Sequence, residues 1–235
     1  MRTLFYIPII HTSADMGSLS QAVTERGLRQ VGQKLWSEHI ATVHGFWDAI
    51  RQYADSLPAA GLMIYQDGLV ADGEMGAKII AAGARAGSPN HQIVAMLLQR
   101  GAEIVKTEDL NLVLEERDRL LATIQARNLR TKIIAVLQFQ LRKRGLLNRR
   151  DQFMARRIAQ TLPDGGTGLL FVGAFHRVRP KLPKDIRVME VKETRKVRQY
   201  QALLPFSRWR SRRFALLSQY LADPIPLLPA AGKSA

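Results

Sequence analysis

Gly168-Leu169-Leu170-Phe171-Val172-Gly173-Ala174-Phe175-His176 is the stretch from which the fold is read. A short apolar run, bounded by Asp164-Gly165-Gly166 upstream and Gly173 downstream, has the length and composition of a buried strand. Residues 3–10, reading TLFYIPII, are rich in β-branched and aromatic side chains and end at His11. Residues 61–65 (GLMIY) lie between Pro58 and Gln66-Asp67-Gly68, and residues 102–106 (AEIVK) follow Gly101. Residues 186–191 (IRVMEV) alternate more and read as an edge strand.

Helical patterns separate these runs. Between residues 19 and 57, apolar side chains recur at Leu28, Val31, Leu35, Trp36, Ile40, Val43, Trp47 and Ile50, in steps of three and four. That length implies two helices or one bent one. Residues 74–87 and 91–101 predict shorter helices, with Ser88 or Asn90 as a cap. Residues 110–126 and 131–162 predict long helices charged on one face, the second with a break near Gly145. Residues 208–221 predict a basic amphipathic helix, with a flexible tail over 224–235. The expectation is an α/β fold, one domain over 1–223, with a mixed or mostly parallel central sheet of about four to five strands flanked by long helices.

Composition narrows the chemistry. The 235 residues include no cysteine, which excludes disulfides, thiolate zinc sites and a cysteine nucleophile. No run approaches the roughly 18 apolar residues of a membrane span, and the N-terminal apolar run is short and interrupted by Pro8, unlike a secretion signal. These features predict a cytoplasmic protein. The net charge of +15 is uneven: residues 1–128 carry 12 Lys/Arg against 14 Asp/Glu, residues 129–235 carry 23 against 6. The basic half predicts attraction to a polyanion, a nucleic acid, an anionic membrane surface or an acidic partner. Two stretches carry that expectation: residues 142–157, with Arg142-Lys143-Arg144, Arg149-Arg150 and Arg156-Arg157, and residues 208–214, where Trp209 and Phe214 interleave with arginines.

Polar residues stand at four strand ends. A residue leaving the C-terminal end of a buried strand faces the crevice where open α/β sheets bind ligands. His176 and His11 each stand in that relation to a strand, as do Asp67 and the Glu108-Asp109 pair. Gly173 lets the backbone turn and approach a ligand closely. Histidine there can move protons near neutral pH or bind metal. Converging histidines and carboxylates suit a divalent metal held by His11, His176, Asp67 and Asp109, with Asp67 or Glu108 as general base. Arg150 is expected either to clamp an anionic substrate or to pair with a buried carboxylate. His39, His44 and His91 lie in helical patterns and read as surface or core residues.

The helix Arg150-Asp151-Gln152-Phe153-Met154-Ala155-Arg156-Arg157-Ile158, followed by a turn and the strand ending Gly173-Ala174-Phe175-His176, resembles the C-terminal signature of the TraB/Tiki proteins. In that family an Arg-Asn-x-x-Met-Ala-x-x-Ile helix precedes a strand ending in Gly-x-x-His. Gly101 to Val105 with Glu108-Asp109 is similar to the family's middle segment. The resemblance, best over residues 148–176, implies an α/β sheet with a His/acidic site and a metal-dependent hydrolase; the alternative is a non-catalytic member that binds through its basic half. The chain departs from the family pattern at Pro8-Ile9-Ile10-His11, which lacks the glycine. It departs again at Gln66-Asp67, where Glu is expected, and at Asp109-Leu110, which lacks an arginine.

Overall fold

The computed structural model describes residues 1–15, 20–115, 129–207 and 211–226, with the backbone alone for 22, 23 and 129–144. Its frame is a five-stranded, all-parallel sheet of β1 (Arg2–Ile9), β2 (Met63–Gln66), β3 (Glu103–Val105), β4 (Thr167–Gly173) and β5 (Ile186–Glu190). The strand order is β3-β2-β4-β1-β5. All five expected strands are present, and β5 is an edge strand as its alternation implies.

The helices are α1 (Ser20–Val31), α2 (Gln33–Asp55), α3 (Gly73–Arg85), α4 (Pro89–Gln99), α5 (Leu129–Thr161), α6 (Thr194–Leu203) and α7 (Ser211–Ala222). A further helix opens over residues 110–115, and the rest of the stretch expected to be helical up to residue 126 lies outside the described residues. The segment from residue 19 to 57 is two helices. Gly32, at a φ of 82° that only glycine takes without strain, turns the chain between them. Where a break was expected at Gly145, α5 instead runs through. A Cβ built at Gly145 meets nothing within 4 Å, so the glycine weakens the helix without bending it.

Strand side chains alternate between the two faces, and each face has its own core. Leu4 and Tyr6 of β1, with Leu170 and Val172 of β4, pack beneath α5 through Met154, Ala155, Ile158 and Leu162. Phe5, Ile7 and Ile9, with Leu169 and Phe171, pack on the opposite face against α2, α4, α6 and α7. α2 and α7 approach so closely at Gly45 that an added Cβ would meet the Ala222 Cβ at 2.8 Å. The C-terminal end of α7 is held by buried Lys192, whose Nζ donates to the Tyr220 and Asp223 carbonyls at 2.9 and 2.6 Å. A cation there also complements the helix dipole.

Ile158 is fully buried, so Ile158→Ala should cost about 2–5 kcal/mol of unfolding free energy in urea titration. Gly145→Ala, in open space within a helix, should instead stabilise by about 1 kcal/mol.

Candidate functional site

Parallel pairing of β1 with β4 sets Ile9 beside Gly173, so the chains leaving both strands emerge side by side at one end of the sheet. Two residues on comes His11; three residues on comes His176, whose N–H closes a turn onto the Gly173 carbonyl at 3.0 Å. α6 braces that turn: the Arg198 guanidinium donates to the carbonyls of Ala174 and, at 2.9 Å, His176. On the other side of β4, β2 continues its ladder by one bond, Asp67 N–H to the Phe171 carbonyl at 2.8 Å. The Asp67 carboxylate thereby reaches Gly173, whose N–H donates to Oδ2 at 3.0 Å. A Cβ on Gly173 would stand 3.2 Å from that oxygen and 3.4 Å from the His176 ring, so glycine makes room for both. The residue facing the site is therefore Asp67, while neighbouring Gln66 is buried with its Oε1 unpartnered.

α5 supplies two more groups. Asp151 Oδ1 lies 2.6 Å from His176 Nδ1, and its Oδ2 accepts the Arg177 N–H at 2.9 Å. With the carboxylate as acceptor, Nδ1 carries the proton and the ring is fixed with Nε2 towards Asp67 Oδ2, 3.4 Å away. Arg150, one residue earlier, donates through Nη2 to Asp67 Oδ1 at 2.8 Å and to Glu108 Oε1 at 2.6 Å, and through Nε to both Glu108 oxygens at 3.1 Å. Glu108 is brought there because its N–H and that of Thr107 both donate to the Leu69 carbonyl, each at 3.0 Å. That lashes the loop after β3 to the loop after β2.

Three carboxylates and two cations are thus buried together, and the excess of one negative charge must be borne somewhere. Burial pushes Glu108 up to about 7 despite its bonds to Arg150, so it is the group that carries a proton most readily. Asp67 is held below the usual carboxylate range: burial opposes this, but the His176 and Arg150 charges and the Gly173 N–H outweigh it. For His176 burial lowers the value, but the charge of Asp67 and the hydrogen bond that Nδ1–H donates to Asp151 raise it above the ordinary imidazole value.

A cavity of about 430 Å³ opens over this cluster, lined by His11, Asp67, Arg150, Gly173 and His176 among others. His11 stands at its rim, 45% exposed. Its loop is anchored by Asp15, which accepts from Thr12 N–H at 2.6 Å and from the Ser88 hydroxyl at 2.5 Å. Ser88 caps α4, as expected, and also meets His91 Nδ1 at 2.8 Å. Glu108 lies beneath the cavity, behind Arg150. Asp109 is apart from it: its Oδ1 accepts the Asn111 N–H at 2.8 Å and caps the helix that opens at residue 110. Of the helical histidines, His39 shares a 2.8 Å hydrogen bond with the Tyr200 hydroxyl, and burial lowers it to about 4.

Asp151 is the residue of this cluster that strand-end reasoning passes over. Its signal was compositional: it is the single acidic residue between Asp118 and Asp164, in a strongly basic stretch.

The expected metal donors do not form a metal set as arranged. Among the described residues no three His, Asp or Glu side chains converge to hold an ion. Both Asp67 oxygens and both Glu108 oxygens already accept bonds, and a divalent cation beside Asp67 would meet the Arg150 guanidinium.

The ionisation pattern sets the pH dependence of stability. Glu108 and His176 both have folded values above their unfolded ones, so each stabilises the fold at low pH and loses that contribution as pH rises. For Glu108 the loss spans about 4.5 to 7; for His176 it begins near 6.5 and ends above it. Asp67 acts in the opposite sense, stabilising above 3.8 and failing in stronger acid. Urea midpoints should therefore fall between about pH 5 and pH 8, and Glu108→Gln should flatten the lower part of that decline. Arg150→Met, which strands two buried carboxylates, should cost about 3–5 kcal/mol at neutral pH.

Compared with protein-family models, with curated proteins and with solved structures, the chain matches none of them.

Proposed function

We propose that the cavity over the ends of β1 and β4 is a hydrolytic site that shares the His/acidic set of the TraB/Tiki resemblance but uses His176 itself, without a metal, as general base and acid. One observation carries this reading: a buried imidazole, oriented by Asp151 on Nδ1, faces Asp67 through Nε2 in a cavity that also receives His11. In its neutral form His176 takes a proton from water onto Nε2 while the water oxygen attacks an ester or amide carbonyl. The imidazolium so formed is stabilised by Asp151 and Asp67, and it returns the proton to the leaving group as the carbonyl–heteroatom bond breaks. Arg150 keeps Asp67 and Glu108 in place, the second of the two roles its position suggested. His11, across the mouth, is placed to hydrogen-bond substrate.

A metal-dependent version of this reading uses His11, His176 and Asp67 as ligands and requires Arg150 to give way. Metal analysis of the purified protein separates the two: one equivalent of divalent metal, lost in both His11→Ala and His176→Ala, would establish the metal route. A second reading, a binding protein acting through its basic half, is favoured by exposed cations on α5 and the β4–β5 connection.

The hydrolytic reading is tested with a panel of p-nitrophenyl esters and p-nitroanilides. His176→Ala and Asp151→Asn should each lower kcat by about 10²–10⁴-fold. In the native protein the rate should rise with pH through an inflection above 6.5, and Asp151→Asn should move that inflection lower. Turnover that is absent across the panel, or equal in native and variant proteins, would refute the assignment.

A further inference from the structure

Over residues 148–200 the chain carries 13 Lys/Arg against five Asp/Glu, and the structure separates the cations that serve the fold from those that do not. Arg150, Arg198 and Lys192 are engaged internally, and Arg157 donates to Asp72 at 2.8 Å and to the Lys106 carbonyl. Arg2 neutralises Asp185 at 2.8 Å, removing the acid beside Lys184. Of the cations without a carboxylate partner among the described residues, Arg156 and Lys181 line one groove of about 420 Å³ between α5 and the 3₁₀ turn Arg179–Lys181, floored by Ala155, Ala159 and Pro183. Arg177, Lys184, Arg187 and Arg195 are exposed outside its lining. Exposed Arg156 forms no ion pair among the described residues; its guanidinium lies 6.0 Å from the Phe153 ring. Lys181 bonds only to a neutral partner, the Asn148 side-chain oxygen at 2.6 Å, so its charge is uncompensated.

We propose that this groove binds the sugar–phosphate chain of single-stranded nucleic acid. The proposal deepens the binding reading above and is independent of the hydrolytic one. Cations lining an apolar-floored groove match a phosphate chain with a sugar or base lying between them. The volume falls within the range of about 300–1,000 Å³ that takes a small ligand or a nucleotide. A membrane surface fits less well. The exposed large apolar side chains among the described residues are Met1, Leu28, Met75, Leu110, Phe175, Phe206 and Leu216, and none of them lines the groove to enter a bilayer.

The experiment is fluorescence anisotropy of a labelled oligothymidylate of about 20 nucleotides with the full chain, from about 50 to about 200 mM salt. Arg156→Glu/Lys181→Glu should weaken binding at least tenfold at the lower salt. It should also reduce the log–log salt slope by about 1.4, the loss of two single-strand phosphate contacts. Arg26→Glu/Arg29→Glu on α1, two exposed arginines outside both basic stretches, makes the same change in net charge and should weaken binding less than threefold. Urea midpoints report folding of both variants, and the single changes Arg156→Ala and Lys181→Ala provide a milder pair that should each lower the slope by about 0.7. Equal losses in the two double variants, no binding by the native chain, or tighter binding to phosphatidylserine vesicles than to the oligonucleotide would each overturn the proposal.

Discussion

A single guanidinium organises the end of this sheet. Arg150 reaches from α5 to Glu108 behind β3 and Asp67 behind β2, and Asp67 in turn holds the Gly173 amide at the end of β4. Three strand ends and one helix are joined by charge-assisted bonds in a region where unpaired charge is costly. Without that arginine the two carboxylates would repel each other and draw water in. With it, they form a floor on which an imidazole can be set.

That floor explains the behaviour of His176. Burial alone favours a neutral ring, as it does for His39, which has no carboxylate and is lowered to about 4. His176 is more deeply enclosed than half-buried His39, yet it is shifted the opposite way because Asp151 and Asp67 flank its two nitrogens. Two histidines of one chain thus differ by what stands beside them. A ring fixed on one side and facing a cavity on the other can pass protons, which is the property the functional reading uses.

Much of the frame was legible in the sequence because its strands are short apolar runs bounded by glycine, proline or polar residues. The strand-end rule led to His176, His11, Asp67 and Glu108, all at the same end of the sheet, since parallel strands share one C-terminal edge. Strand order was not legible: nothing local says that β4 inserts between β2 and β1, the step that puts Gly173 against Asp67. Asp151 was missed for a related reason. It projects from a helix whose charge pattern reads as a solvated face, and only tertiary packing turns it inward. Asp109 misled in the converse way, because an acidic residue after a strand serves equally well as a helix cap. Gly145 predicted a break that the backbone does not need, since its cost is entropic and small.

Direct observation of the His176 ring by NMR titration of ¹³C,¹⁵N-histidine-labelled protein tests the account at its centre. It predicts a midpoint above 6.5 with Nδ1 protonated throughout, falling when Asp151 is replaced by asparagine. A midpoint at or below 6.5 that the Asp151 substitution leaves in place would contradict it.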